Sequence, residues 1–350
     1  MAITYHSGRR IQGTQADFDG TPAVSGGWKE IARTTLGSTN SNIDVASLAD
    51  KRYYMILTNT LGHSTAIDPS FRLNADSGSN YATRYSHNGG TDGTLTSQSL
   101  GRIGIGTLSL NPSLNVTYIA NLSGKEKLLN SHMIDQNTAG AGNSPNRTEV
   151  VNKWSNTSNP IDEFDVYTGS ATTWTSGSEC VVLGYDPDDT HTDNFWEELD
   201  TTTISSAGEL DTGSFTAKKY LWIQYSCNST DGGFGFRFNS DTGTNYARRF
   251  SQNGASDQTE LSYNMMRMIW SGANTYYGNM FIINNSANEK LVINHQAGIT
   301  ATGAGTAPYR WETAGKWANT SSQITSVQFL DHADASGFID SGTVKVWGSN

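Results

Sequence analysis

Two segments of the chain carry oxygen-bearing side chains at every second position, which is the ligand spacing of a calcium-binding loop. The candidate ligands are Asn74 and Asp76 in the first segment and Asn239 and Asp241 in the second. Each segment supplies one carboxylate and no downstream glutamate, whereas calcium loops usually hold more negative charge. A hairpin turn is therefore the favoured interpretation. In that turn the aspartate is the cap, and a glycine such as Gly78 takes the position of positive φ.

Two tryptophans form a second pair of candidates. Trp154 and Trp317 each lie in a Lys-Trp-x-Asn-Thr-Ser segment. An aromatic ring beside amide and hydroxyl groups could stack on a sugar ring in a glycan-binding site. The alternative is a core tryptophan whose N–H donates to a turn carbonyl. The segment occurs in both halves of the chain, and this repetition favours the core role.

The chain contains none of the sequence patterns that mark well-known catalytic sites. The nucleophile elbow G-x-S-x-G, the phosphate-binding loop, the dinucleotide fingerprint and the zinc motif H-E-x-x-H are all missing. His132 and His295 stand alone in their segments, so we expect each to be structural. Glu197 and Glu198 are adjacent, and adjacent residues of a strand point to opposite faces of the sheet. The two carboxylates of a glycosidase must instead face each other across a cleft, so this pair does not fit. We expect no enzyme activity, no catalytic residue, no cofactor and no metal.

The candidates recur because the chain is an internal duplication. Residues 71–89 and 236–254 are identical at twelve of nineteen positions, where about one identity is expected by chance. The match continues in register to the two Lys-Trp segments, and Trp28 corresponds to Trp196. Residues kept in both copies therefore serve the shared fold or a site that is used twice.

The composition predicts an all-β chain. Only 16% of the residues are charged, whereas glycine, serine, threonine and asparagine are abundant, and helical proteins are richer in Ala, Leu, Glu and Lys. Short alternating segments are separated by turn residues, and no stretch of twelve residues has a helical period. We predict about eight strands per copy in two packed sheets, which makes each copy a jelly-roll-like β-sandwich.

The duplication also sets the domain boundaries. We predict one sandwich over residues 27–186, a second over 194–350, and an acidic linker over 187–193. The linker is so short that the domains should either pack against each other or sit at a fixed angle.

The first 26 residues have no counterpart in the second copy. We predict an extended N-terminal arm that lies across a neighbouring subunit, anchored by Ile3, Tyr5, Ile11 and Phe18.

Charge and hydropathy exclude several classes of partner. The net charge of −10 and the lack of a Lys/Arg cluster argue against nucleic acid. No run of 18 apolar residues is present, so we expect no membrane insertion, and the first residues lack the apolar core of a signal peptide. The only cysteines, Cys180 and Cys227, are not duplicated. Buried free thiols are the favoured interpretation, with a disulfide as the alternative.

Several motifs together resemble the β-rich structural proteins of environmental, chiefly marine, tailed viruses. They are SGRRIQG (7–13), GGWKEIARTTLG (26–37), the DSGSNY hairpin (76–81), WANTSSQITSV (317–327) and SGTVKVWG (341–348). The resemblance spans nearly the whole chain. It implies a component of the virion surface that is made in the host cytoplasm, such as a capsid decoration, fibre or tail protein of a phage. It brings no catalytic residues with it.

These observations predict a non-enzymatic virion structural protein that acts through subunit assembly. The expected partners are further copies of the chain, with a trimer favoured, and other virion proteins. A carbohydrate-binding module is the main alternative, either one that recognises a receptor such as a cell-surface glycan or a lectin-like one. A capsid protein with two jelly rolls in one chain is the second alternative.

Overall fold

The computed structural model describes residues 3–6, 9–12, 27–65, 67–105, 111–168, 172–229, 233–268, 275–299, 301–331 and 339–350. All regular secondary structure within these ranges is β-strand. The same ranges contain no helix that is long and apolar enough to cross a membrane.

The first domain contains two antiparallel sheets. Its strands in the described ranges are β3 (Lys29–Thr35), β4 (Asn42–Ala46), β5 (Tyr53–Thr60), β6 (Ser70–Leu73), β7 (Tyr81–His87), β8 (Gly93–Gln98), β9 (Gly101–Arg102), β10 (Ser113–Ala120), β11 (Lys127–Asp135), β12 (Asn146–Trp154), β13 (Glu163–Tyr167) and β14 (Glu179–Tyr185). Eight of them form a sheet in the order β3-β14-β5-β10-β11-β12-β7-β8, and four form a sheet in the order β4-β13-β6-β9.

The second domain repeats this arrangement strand for strand. Its strands are β15 (Glu197–Ile204), β16 (Leu210–Asp211), β17 (Tyr220–Asn228), β18 (Phe234–Phe238), β19 (Tyr246–Gln252), β20 (Gln258–Tyr263), β21 (Met266–Arg267), β22 (Thr275–Ile283), β23 (Lys290–Ile299), β24 (Tyr309–Trp317), β25 (Val327–Asp331) and β26 (Ser341–Ser349). The sheet orders are β15-β26-β17-β22-β23-β24-β19-β20 and β16-β25-β18-β21. Two tandem β-sandwiches are therefore confirmed.

The number of strands differs from the sequence-based prediction. The described part of each copy contains twelve strands instead of about eight. The additional ones are short, such as Gly101–Arg102 and Leu210–Asp211. Two residues cannot show an alternating pattern, so periodicity does not detect such strands.

Each sandwich has its own core between its large and small sheets. Trp154 lies in the first core at 0% exposure, and Trp317 lies in the second at 1%. Both rings are inaccessible to a sugar, so the proposal that they stack on a glycan is wrong. The alternative core role is confirmed.

The calcium candidates are turn residues that support these tryptophans. Trp154 Nε1–H donates to Asp76 Oδ2 at 2.7 Å, and Trp317 Nε1–H donates to Asp241 Oδ2 at 2.6 Å. The other oxygen of Asp76 accepts the N–H of Gly78 at 2.8 Å. The Asp76 and Asp241 oxygens are thus committed to the turns, and the calcium interpretation is wrong.

The asparagines close the same turns from the other side. Asn74 Oδ1 accepts the N–H of Asp162 at 3.0 Å, and Asn239 Oδ1 accepts the N–H of Thr325 at 2.8 Å. The left-handed positions are Asn74 at φ +51° and Asn239 at φ +52°, together with the residue after each. The expectation of positive φ at Gly78 is wrong, because asparagine also tolerates this region.

Both cysteines are free and buried. Cys180 belongs to the first sandwich core and Cys227 to the second. Free thiols are confirmed, since the two side chains lie in different cores.

The N-terminal segment contains a hairpin in which β1 (Ile3–His6) pairs with β2 (Arg9–Gln12). Ile3, Tyr5 and Ile11 lie on its strands. Phe18 lies outside the described residues. The binding of this arm to a neighbouring subunit stays a prediction.

A third core joins the domains. The outer faces of the two eight-stranded sheets meet through apolar side chains. The buried members are Met55, Leu57, Leu114, Val116, Ile134, Val181, Leu183, Phe195, Trp196, Tyr220, Phe281, Ile283, Leu291, Ile293 and Ala314. The domains therefore pack against each other, which is the first of the two arrangements that the short linker predicted.

The bond between Asp241 and Trp317 should be visible in the stability of the protein. We expect Asp241→Ala to lower the free energy of unfolding by about 1–3 kcal/mol, because a buried N–H loses its acceptor. Asp188→Ala removes the same charge from an exposed position and should change stability by less than about 0.5 kcal/mol. Urea titrations measure both values. Equal effects would contradict the prediction.

The same aspartate should make stability depend on pH. Burial acts to raise the pKa of Asp241, but hydrogen bonds from Asn245, Trp317 and Gly243 outweigh it and hold that pKa below its usual value. A lowered pKa stabilises the fold above the unfolded-state pKa of about 3.9, and the stabilisation disappears as the pH falls through the lower value. The difference between wild type and Asp241→Ala should therefore shrink below about pH 4.

Candidate functional site

One loop of the first domain reaches across to the second. This docking loop, residues 136–144, connects β11 to β12. Lys316 Nζ–H donates to the carbonyl oxygens of Gln136 at 3.2 Å and Thr138 at 2.5 Å. Glu289 accepts the N–H of Gly140 at 2.5 Å. A charged pair on the second domain thus binds the backbone of the loop from both sides.

The far end of the docking loop is fixed in the same way. The N–H of Ser262 donates to the carbonyl of Ala141 at 2.8 Å. Arg249 Nε–H donates to the carbonyl of Pro145 at 2.9 Å. Most of these contacts go to the backbone of the loop, so they depend on its shape more than on its side chains.

Burial of the binding pair affects its electrostatics. The side chains of Lys316 and Glu289 are 0% and 3% exposed, and their charged atoms lie 3.4 Å apart. Burial lowers the pKa of Lys316, and the negative charge of Glu289 opposes this shift. The loop carbonyls replace the water that an exposed ammonium group would bind.

The equivalent surface of the first domain is an open groove. Its volume is about 960 Å³, and it lies on the outer face of the eight-stranded sheet. Its lining includes Trp28, Tyr53, Arg84, Leu95, Tyr118, Leu128, Val151, Lys153 and Tyr185. Leu128 is 59% exposed, whereas its counterpart Leu291 is 0% exposed; Val151 is 49% exposed and its counterpart Ala314 is 3% exposed.

Aromatic rings form one wall of this groove. The ring of Trp28 lies 6.4 Å from that of Tyr118 and 5.8 Å from that of Tyr185, centroid to centroid. Tyr53 stacks on Tyr185 at 6.2 Å. Burial raises the pKa of Tyr118, so its phenol is neutral. The wall offers a large apolar area with hydroxyl groups at its edges.

The groove carries the same charged pair as the filled surface. Lys153 and Glu126, the counterparts of Lys316 and Glu289, lie 3.1 Å apart with 48% and 41% of their side chains exposed. In the second domain this pair binds loop backbone. In the first domain it is accessible at the edge of the groove.

The counterpart of the docking loop is also exposed. Residues 301–308 lie between β23 and β24, and Gly303 and Ala304 correspond to Gly140 and Ala141. Every residue from 301 to 308 is exposed, whereas Ala141 is buried. The described part of the chain thus contains a surface that the docking loop contacts, an open counterpart of that surface, and an exposed counterpart of the loop.

Sequence reasoning did not identify this site. It noted that Trp28 and the segment that begins at Lys153 recur in both copies, and it left open whether they serve the shared fold or a site that is used twice. None of the calcium or glycan candidates lies in the groove. The signal that could have revealed the groove is Leu128. Its neighbour Leu129 already points into the sandwich core, so Leu128 places an apolar side chain on the outer face of the same strand.

The structure brings His132 and His295 together, although each stands alone in its own segment of the sequence. Their rings meet at a centroid distance of 4.3 Å at the domain junction, and a carboxylate oxygen of Glu149 lies within 4.8 Å of their nitrogens. The residues are distant in sequence and come from different domains, so spacing within a segment could not reveal the cluster.

No protein-family model matches the chain, and no curated protein matches it. Among solved structures, domains LG4-5 of the mouse laminin alpha1 chain are similar at 9% identity, with 91% of this chain and 89% of that chain covered and a TM-score of 0.21. The receptor binding domain of botulinum neurotoxin type G is similar at 11% identity, with 98% and 90% covered and a TM-score of 0.17. Similarities at this level say nothing about function.

The two lysines provide a matched test of the docking contact. Lys316→Met should lower the free energy of unfolding by about 3–5 kcal/mol, because Glu289 is left as a buried, uncompensated charge. Lys153→Met makes the same change at the exposed counterpart and should cost less than about 1 kcal/mol. Denaturant titrations of both variants measure the difference. Similar losses in the two variants would show that the loop contact contributes nothing.

Proposed function

We propose that this chain is a non-enzymatic structural protein whose copies assemble head to tail. The exposed loop at residues 301–308 of one copy enters the open groove of the next, as the docking loop contacts the second domain within one chain. The observation that carries the proposal is the contrast between Leu128 and Leu291, which are equivalent residues at 59% and 0% exposure. A second copy of the chain is the occupant that already has the matching loop.

Physical complementarity supports this occupant. Covering Leu128 and Val151 would contribute about 1.5–3 kcal/mol for each side chain that becomes fully buried. Lys153 and Glu126 already contact each other, so they need little rearrangement to bind a loop backbone. The part of the loop that would enter the groove contains Gly303. This glycine is exposed, and no atom lies near the position that a Cβ would occupy, so its backbone is open to a partner.

The contact determines the kind of assembly. It joins two different surfaces, so it is heterologous, and it produces either a closed ring or an open filament. A trimeric ring is the form that we favour. The resemblance of the sequence to virion proteins supports a place on a particle surface, as a decoration, fibre or tail protein, with other virion proteins as neighbours. A capsid built from tandem jelly rolls is the alternative within this class.

The assembly can be tested by solution mass. Light scattering coupled to size exclusion, run at high protein concentration, should give the wild-type chain a mass of at least twice the 37.9 kDa of one chain. Leu128→Asp in the groove and Ala304→Arg in the loop should each give the monomer mass, because each removes one side of the contact. Leu122→Asp is the control, since Leu122 is exposed at 38% but lies outside the groove.

Two results would overturn head-to-tail assembly. One is a monomeric wild-type chain at high concentration, and the other is an oligomer that persists in both variants. A chain that begins at Gly27 tests the separate role of the arm. If this shorter chain is monomeric while Leu128→Asp remains an oligomer, the arm holds the copies together instead of the groove.

Carbohydrate recognition is a second candidate function, and the aromatic wall favours it. Flat rings such as Trp28 and Tyr185 are partly accessible in the groove, as a glycan-binding surface requires. Under this alternative, Trp28→Ala should abolish binding on a glycan array while Ala304→Arg leaves binding intact. Under the assembly proposal the wild-type protein binds no glycan, and Ala304→Arg changes the mass.

A further inference from the structure

The junction between the domains brings four potential metal ligands together. His132 on β11 lies directly across from Glu149 on β12, and His295 on β23 lies across from Glu312 on β24. Cross-strand partners present their side chains on the same face of a sheet. The duplication thus places one histidine–glutamate pair on each of the two faces that meet.

These side chains surround a space of atomic size. The cavity is about 10 Å³ and is lined by both histidines and both glutamates. Ligand atoms of His132, Glu149 and His295 all lie within 4.8 Å of one another. Zinc ligands lie about 2.0–2.2 Å from the metal, so tetrahedral ligands are separated by about 3.3 Å. Closing the site therefore requires side-chain movements of about 1 Å.

The histidines are suited to a metal and poorly satisfied without one. Nδ1 of His132 is buried and has no hydrogen-bond partner. Burial lowers the pKa of His132 to about 3, and the neighbouring His295 and Arg147 act in the same direction. Burial also lowers the pKa of His295. Neutral imidazole is the form that binds transition metals.

The charges around the cavity leave an excess of carboxylate. Arg147 forms ion pairs with Glu149, Glu312 and Asp257, and Arg310 pairs with Glu312. Three carboxylates thus share two guanidinium groups in this network. Burial raises the pKa of Glu149, with Arg147 opposing the shift and Glu312 adding to it. A divalent cation bound by these carboxylates would add positive charge to the network.

Arg147 does not block the cavity permanently. Its Nη2–H and Nε–H donate to the two oxygens of Asp257 at 2.8 and 3.2 Å, and its Nη1–H reaches the two glutamates. The bidentate pair with Asp257 can hold the guanidinium while Nη1 releases the glutamates. These carboxylates then become available to a metal.

We propose that His132, His295, Glu149 and Glu312 form a site for a zinc-class divalent ion at the domain junction. Two imidazoles and two carboxylates suit zinc, and cobalt can replace it as a coloured probe. Four protein ligands leave no open position, so the ion is structural and fastens one domain to the other. The site is independent of the groove and of assembly.

The test uses the full-length chain, free of any histidine tag and stripped with chelator. Titration with Zn²⁺ in a calorimeter should show one equivalent bound, and Co²⁺ should give the visible bands of a tetrahedral site. His132→Gln and His295→Gln should each weaken zinc binding by more than about 100-fold, because even outer-shell changes cost 10–100-fold. His191→Gln is the control, since His191 is half-buried in the linker region and away from the cavity.

The nearly isosteric Glu149→Gln keeps the test valid if a histidine variant fails to fold. It should weaken zinc binding while the circular dichroism spectrum stays unchanged. Three results would overturn the site: no stoichiometric zinc in the wild-type chain, zinc bound equally well by His132→Gln and His295→Gln, or binding that appears only in Arg147→Met. The last result would show that the guanidinium is the permanent cation of this cavity.

Discussion

The structure depends on the burial of both faces of each eight-stranded sheet. In an ordinary sandwich one face of each sheet packs on the core and the other face is exposed to solvent. Here the outer faces are apolar as well, and the third core covers parts of both. This requirement fixes the relative position of the domains and brings the docking loop to Lys316. It also brings the two histidines together and leaves the groove around Leu128 uncovered.

The duplication shows that the same residue can have different contacts and solvent exposure in the two copies. Lys153 and Lys316 occupy the same strand position beside the same glutamate, yet one is solvated and the other binds a loop with its charge almost fully desolvated. The same holds for the loops at Ala141 and Ala304, which are buried and exposed. Residues that are identical in the two copies therefore indicate the shared fold, and differences in their burial indicate the open groove of the first domain.

Local sequence patterns predicted much of the fold. Composition and alternation predicted two tandem β-sandwiches, and the repeated Asp-x-Gly-x-Asn-Tyr pattern located the turns that precede β7 and β19. The two-residue strands were missed because they carry no period. The groove was missed because it depends on which outer face the other domain covers. The histidine cluster was missed for the same reason, since tertiary packing between domains leaves no local signal.

The short connection between Tyr185 and Glu197 has a kinetic consequence. It tethers the second domain to the first, so the internal docking contact forms at an effective concentration in the millimolar range for a short flexible connection. The proposed contact between chains would have only the concentration of the protein itself. Dilute protein would therefore complete its internal contact and remain as single chains, and assembly would begin only at high protein concentration. Under this proposal the same kind of contact would form within each chain at any concentration, and between chains only where many copies are gathered.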